Sequence, residues 1–477
     1  MSIIESKGNK KVKKFSTYLI LVVLPFSLFF NGCKPDSLMT ELLPQDPSFE
    51  VYFNHRNIGE VTYRDPYRKI AHGGDNLEAV IIEAINNANV SIDLAVQELQ
   101  LPEIALALAE RYRTGIRVRV VLENQYSRSL SDLSGQEIAT LTERERDRYK
   151  QYFQLIDINQ DGDLSQQEIN SRDALVILRN AGIPIIDDTE DGSKGSGLMH
   201  HKFMVIDNKT VVTGSANFTL SGIHGDYSNS ATRGNVNNLL KISNAQVANL
   251  FAEEFNYMWG DGEGGDEDSE FGIDKIWRSP KTIYWDNTAV TVQFSPTSKT
   301  QDWFNSTNGL IGKTLSEANS AVDLALFVFS EQKLADILEK KRESGVEIRA
   351  LIDRGFAFRY YSEGLDMLGV ALSNKCKYEK ENNPWNNPIN DVGIADLARG
   401  DKLHHKFAIV DGNIIIAGSQ NWSNTANVNN DETVLIIQNS TVAAHFQQEF
   451  NSLYRSSILG LSQRIENKIQ KDQQKCK

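Results

Sequence analysis

The sequence predicts an α/β protein built as two similar domains related by pseudo-twofold symmetry, and three observations predict it. The stretch His200-His201-Lys202-Phe203-Met204-Val205-Ile206-Asp207 recurs as His404-His405-Lys406-Phe407-Ala408-Ile409-Val410-Asp411. Each copy is followed by Gly-Ser-x-Asn, at Gly214, Ser215 and Asn217 and again at Gly418, Ser419 and Asn421. Upstream of each, a helical period is followed by an apolar run, a second helix, a glycine and another apolar run, the order of a strand-helix-strand unit.

Residues 1–32 read as an export signal. Lys7, Lys10, Lys11, Lys13 and Lys14 precede an apolar run over 15–30, which is short for a membrane-spanning helix. The run ends at Gly32-Cys33, which resembles a bacterial lipoprotein cleavage site, although Phe30 and Asn31 replace the usual Leu and small residue. Lipidation at Cys33 would place the protein in the cell envelope, lipid-anchored to a bacterial membrane. An uncleaved anchor and plain secretion are the other two readings. Residues 33–48, with Pro35, Pro44 and Pro47, read as a tether.

The first domain is expected over 49–260, with a helix at 76–89, a strand at 90–96, a helix at 102–114 ended by Gly115, and a strand at 116–122. The second, over 286–457, repeats this at 309–320, 321–329, 332–344 with Gly345, and 346–352. Gly115 and Gly345 are offset by 230, whereas His200 and His404 are offset by 204, so the first domain carries 26 extra residues. They fall in an insertion at about 127–169. It contains Asp157, Asn159, Asp161, Gly162, Asp163, Ser165 and Glu168, the oxygen ligands and turn glycine of a twelve-residue EF-hand loop. Asp163 would contribute its backbone carbonyl. Calcium is the cofactor expected there, between an entering helix at 141–156 and a leaving one at 166–179.

Further along, 183–186 reads as a strand. The acidic, glycine-rich segment 187–197 leads into the first motif, and a long polar loop at 375–399 precedes the second. Both are expected to rim one cleft. Phe251, Glu254, Phe255, Asn256 and Trp259 recur as Phe446, Glu449, Phe450, Asn451 and Tyr454, so each half closes with the same core helix. Residues 261–285 read as an acidic, glycine-rich linker and 458–477 as a charged tail, helical at best.

The repeated motif carries chemistry. Cleaving a phosphodiester without a metal needs a nucleophile, an acid for the leaving oxygen, and cations on the non-bridging oxygens. His200 and His404 can supply the first two, Lys202 and Lys406 the third, with Ser215, Asn217, Ser419 and Asn421 as further phosphate ligands. Residues two apart share a strand face, so His and Lys of one motif point the same way. His201 and His405 face the other way and read as structural. Asp207 and Asp411 complete the motif but stand at its far end, better placed to tie down a turn.

These two motifs resemble the signature of the phospholipase D superfamily over residues from about 49 to about 455. The resemblance implies a phospholipase D-like sandwich in each half, one shared active site, and phosphodiester hydrolysis through a phospho-histidine with no catalytic cofactor. His200 would be the nucleophile and His404 the acid and base. It also implies a downstream carboxylate that orients an active-site His. Glu432 fits that place beside His404, leaving the two roles exchangeable. Aligning 237–240 with 429–432 puts Leu240 where the first half should carry its carboxylate, with Asp226 a possible substitute.

The net charge of −13 lacks the basic footprint of a non-specific nucleic-acid binder. Cys33, Cys376 and Cys476 make neither a disulfide framework nor a metal pattern. Envelope location and acidic balance favour a phospholipase acting on phospholipid at a membrane surface; the alternatives are an exported nuclease with nucleic acid as substrate and a non-catalytic calcium-binding envelope protein. A chain carrying both motifs is expected to act as a monomer.

Overall fold

The computed structural model describes residues 42–56, 60–193 and 197–476. The export signal, Cys33 and most of the tether lie outside these residues. Among them, no helix is long and apolar enough to cross a membrane.

Two mixed sheets carry the two copies of the motif. The first runs Phe49–Phe53, Asn238–Ser243, Thr210–Gly214, Lys202–Ile206, Ser91–Val96, Arg117–Leu122 and Ile185–Asp187. The second runs Lys281–Trp285, Thr288–Phe294, Thr433–Gln438, Ile414–Gly418, Lys406–Val410, Ala321–Leu326, Glu347–Ile352, Val392–Ile394 and Ile458–Leu459. Each motif strand therefore lies in the middle of its sheet and is buried along its whole length, as an uninterrupted apolar run between Lys and Asp requires. Ser91–Val96 pairs in parallel with Arg117–Leu122 through the helix Pro102–Arg113, and Ala321–Leu326 pairs in parallel with Glu347–Ile352 through Gln332–Glu343. The repeat extends to side chains. Arg119 Nε donates to Asp93 at 2.8 Å and Arg349 Nε to Asp323 at 2.7 Å.

The halves share one core. Phe203, Phe251 and Phe255 of the first pack in the same cluster as Phe407, Phe446 and Phe450 of the second. The motif strands supply Phe203 and Phe407, and the helices Ala245–Trp259 and Ser440–Arg455 supply the other four, whose i, i+4 spacing keeps each pair on one face.

Several boundaries differ from the sequence reading. Lys281–Trp285, assigned to the linker, is a strand paired with Thr288–Phe294. Lys275, also in the linker, is buried and forms ion pairs with Glu254 and, at 2.6 Å, with Asp431. The charged tail is part of the second domain. Ile458–Leu459 extends the second sheet, Gln463–Lys475 is helical, and Cys376 forms a disulfide with Cys476. Cysteine counting fails for a single bridge of sequence separation 100, because spacing carries no signal at that distance. The leaving helix of the insertion is split into Gln166–Arg172 and Ala174–Ala181. Asp173 divides them by accepting the N–H groups of Leu175 and Val176 as an N-cap.

Candidate active site

The backbone brings the two motifs to one place by crossing the halves. His200 N–H donates to the Asp431 carbonyl, and His404 N–H to the Val236 carbonyl, each at 3.0 Å. Both imidazoles line a single cleft of about 1510 Å³.

The same crossing orients the rings. His200 Nδ1 lies 2.7 Å from Glu432 Oε2. A carboxylate can only accept, so Nδ1 carries the proton and Nε2 presents its lone pair. His404 Nδ1 lies 3.0 Å from Asn237 Oδ1. That amide cannot flip freely, because its Nδ2 donates to the Gly222 and Asn235 carbonyls at 2.7 and 3.1 Å. Nε2 of His404 is thereby left free as well.

Glu432 serves His200 of the opposite half, not His404 of its own. The equivalent place in the first half belongs to Asn237, not Leu240 or Asp226. Gly214 pairs with Leu239 and Gly418 with Val434, so Asn237 and Glu432 each stand two residues before those partners. Asp226 lies elsewhere on the cleft wall, where burial raises its pKa against the pull of Arg68 and Lys402.

Ser215 and Ser419 stand behind the histidines. Their hydroxyls donate to Asn237 Oδ1 at 2.8 Å and Glu432 Oε2 at 2.7 Å and accept the N–H of Asn238 and Thr433. They fix the orienting groups and are not available to phosphate. Asn217 and Asn421 do line the cleft. Lys202 Nζ donates to the His200 carbonyl at 2.6 Å, and Lys406 Nζ to the His404 carbonyl at 2.7 Å.

Two residues that the motif does not include distinguish the halves. Gln97 Oε1 accepts from Lys202 Nζ at 3.3 Å and Asn217 Nδ2 at 3.1 Å. Phe327, its counterpart one strand end along the second sheet, places its ring 4.7 Å from that of His404 and 4.9 Å from Lys406 Nζ. The repeat offset of 230 leads to both positions, but nothing in residue type marks them.

Burial dominates the electrostatics. It pushes the His200 pKa down to about 4, with Glu432 pulling against it and Lys202 adding to the fall. His404 is lowered well below the usual imidazole range by burial and then by Lys406 and Lys202. Burial brings Lys202 down to about 7 against Glu432, and Lys406 is also strongly lowered, first by burial and then by Lys202. Lys202 and Lys406 disfavour protonation of both rings, and an anion beside them would relieve that repulsion and raise the values.

His201 and His405 are fully buried. They bond Glu254 and Glu449 of the closing helices at 2.9 and 3.2 Å, and across the halves to Thr433 and Asn238. Asp207 accepts the N–H groups of Asn89, Val90 and Ser91. Asp411 accepts those of Asn319, Ser320 and Ala321. For Asp411, burial raises the pKa but these backbone bonds outweigh it and hold it at about 2. A folded-state value depressed below 3.8 contributes stability at neutral pH that is lost as pH falls toward 2. Asp411→Ala is expected to cost about 1–3 kcal/mol in urea unfolding at pH 7, with the deficit shrinking below about pH 4. A deficit independent of pH would refute this role.

Neither 187–193 nor 375–399 contributes to the cleft lining among the described residues. Trp385 of the second loop is instead buried in the core. The wall they were expected to supply comes from the helix Glu143–Ile156 of the insertion, including Arg144, Arg148, Tyr149 and Phe153. The insertion runs from the helix Glu143–Ile156 through the loop bearing Asp157, Asn159, Asp161, Asp163 and Ser165 to the short helix Gln166–Arg172 with Glu168.

A family model described as "Cardiolipin synthase, PLD-like domain" matches residues 81–259 and 311–454, more than half of the chain and both copies of the motif. The mitochondrial cardiolipin hydrolase of Mus musculus is 30% identical over 142 residues, 30% of this chain and 55% of that protein. That of Homo sapiens is 30% identical over 144 residues, 30% of this chain and 48% of that protein. The chain thus spans about half the length of these curated relatives. The solved phosphatidylserine synthase of Haemophilus influenzae Rd KW20 aligns over 91% of this chain and 94% of its own, with a TM-score of 0.51 and 12% identity, a likeness of fold.

Proposed function

The chain belongs to the family of PLD-like domains of cardiolipin-synthase type, a family of phosphodiester-acting enzymes, and on that premise we propose that it hydrolyses a phospholipid headgroup ester through a phospho-histidine. One observation carries the reading: two imidazoles on one cleft, each with Nδ1 locked by a residue of the opposite half. Nε2 of His200 attacks phosphorus. His404, protonated once the anionic substrate has raised its pKa, gives its Nε2 proton to the departing alcohol oxygen, and the P–O bond breaks. His404 then takes a proton from water, the resulting hydroxide attacks phosphorus, and the P–N bond breaks to return His200. Lys202, Lys406, Asn217 and Asn421 stabilise the non-bridging oxygens as charge develops.

The cleft volume of about 1510 Å³ exceeds that of an ordinary small-molecule pocket of roughly 300–1,000 Å³, and its wall carries Tyr126, Tyr149 and Phe153 beside Arg144 and Lys150. Such a surface suits a substrate with a charged phosphate and an apolar body. The Cys376–Cys476 disulfide supports an exported protein, since such bridges persist in oxidising compartments.

The test sets vesicles containing cardiolipin, phosphatidylglycerol or phosphatidylcholine against plasmid and single-stranded DNA. Headgroup release that disappears in His200→Ala supports the proposal. DNA cleavage without lipid hydrolysis replaces it with a nuclease, and turnover of neither leaves a binding protein.

A further inference from the structure

The insertion contains a group of oxygens that phosphodiester hydrolysis does not use. Its helix Glu143–Ile156 ends on Asp157. This residue is 9% exposed, and its carboxylate faces the loop interior. Oδ2 accepts the Gly162 N–H at 3.2 Å, while Oδ1 is buried without a partner. Glu168, 7% exposed, turns back across the loop. Its Oε1 accepts from the N–H groups of Ile158 and Asn159 at 3.0 and 3.3 Å, and Oε2 from Ser165 N–H at 3.0 Å. Asn159 Oδ1 and Asp161 Oδ1 each accept the N–H two residues on. Gly162, at φ +88°, makes the sharp turn that a side chain would resist. The donor set is all oxygen, the preference of a hard divalent cation. Among the described residues no three carboxylate, imidazole or thiol groups converge closely enough to hold a metal. A cation would therefore have to draw Glu168 and Asp161 inward, in exchange for bonds to the loop's own amides.

The same helix forms a wall of the catalytic cleft. Arg148 Nε donates to Glu98 Oε1 at 2.7 Å, and its guanidinium lies 4.6 Å from the Tyr126 ring centroid. Glu98 adjoins Gln97, the acceptor for Lys202 and Asn217. Three residues beyond Arg148, Gln151 Oε1 accepts from Tyr227 N–H at 2.7 Å and its Nε2 donates to Ser228 Oγ at 3.2 Å. One helix thus links the loop to Glu98 and Tyr126 and to Tyr227 and Ser228.

We propose that loop 157–168 is a site for a divalent cation of the calcium class, and that its occupancy sets the position of helix Glu143–Ile156 against Glu98 and Tyr227. Cation binding then controls admission of a bulky substrate, leaving the phosphoryl chemistry unchanged. The coupling rests on the cleft being the active site, as proposed above; the cation site does not.

The full chain is titrated with Ca²⁺ by calorimetry, and hydrogen exchange over 143–156 is followed with and without the ion. Turnover of bis(p-nitrophenyl) phosphate and of phospholipid vesicles is measured in parallel. The expected result is one saturable site weakened at least about tenfold in Glu168→Gln, slower exchange over the helix, and a KM for vesicles that changes with Ca²⁺ while that for the small ester does not. Arg148→Ala should keep the binding and lose the change in KM. Absence of saturable binding up to about 10 mM, or binding indifferent to Glu168→Gln, overturns the site. Binding with unchanged exchange over 143–156 overturns the coupling. Binding and exchange that respond, with neither ester hydrolysed, leave the cation site standing and remove the hydrolase reading instead.

Discussion

Incubated with bis(p-nitrophenyl) phosphate, His404→Ala protein is expected to accumulate a phosphoryl group on His200, and His200→Ala protein to accumulate none. The two histidines are alike in sequence but not in surroundings. Once phosphorus bonds to an imidazole nitrogen the ring carries positive charge, and a carboxylate on Nδ1 stabilises that cation better than an amide does. His200 has the carboxylate, at 2.7 Å from Glu432, and His404 has the amide of Asn237. The choice of ester matters. p-Nitrophenolate leaves without a proton, so removing the acid His404 spares formation of the intermediate, whereas the water that must break it down loses its base. Steady-state kcat should fall about 10⁴-fold in both variants. Alkaline quenching of ³²P-labelled ester, followed by peptide mapping, reads the result. Label on His404 in the His200→Ala protein would reverse the assignment.

The sequence carried the frame of this site well and its wiring poorly, for a physical reason. Motif, helix and strand positions are local. Asn76 capping Leu77–Asn86 and Ser306 capping Thr307–Ser316 start helices that packing then buries, and the same offset carried Asp93 to Asp323. Which half supplies the partner of each histidine is a property of how two sheets meet. Glu432 is 13 residues from Ser419 and 232 from His200, and adjacency in sequence favoured the wrong ring. The misplacement of Leu240 arose from matching Asn237-Asn238 to Asn429-Asn430. Anchoring instead on the strands Asn238–Ser243 and Thr433–Gln438 brings Asn237 to Glu432 directly. Ser215 and Ser419 look like phosphate ligands because a hydroxyl beside a motif is chemically able to be one. Only the geometry shows both spent on the groups behind the rings.

Glu432→Gln should lower kcat/KM about 10²–10³-fold and move both limbs of its pH profile toward acid. The carboxylate lies fully buried and accepts from His200 and Ser419 on one oxygen and from Asn430 Nδ2 on the other. An amide in that place can turn its NH₂ toward Nδ1, favouring the tautomer that hides the lone pair from the cleft. The charge has its own effect. Attack requires neutral His200, whose pKa burial has lowered to about 4 while Glu432 raises it, so the acid limb should fall near pH 4 and shift lower once the charge is gone. Charge stabilisation requires protonated Lys202, which burial has lowered to about 7 and which Glu432 also raises. The acid His404 and Lys406 must be protonated as well and are both lowered, so the basic limb should fall at or below about pH 7 and likewise move down. Because kcat/KM reports the free enzyme, the profile reads these groups before substrate changes them. Movement of only one limb would separate Glu432 from the other group, and movement of neither would mean that its negative charge is not felt in the cleft.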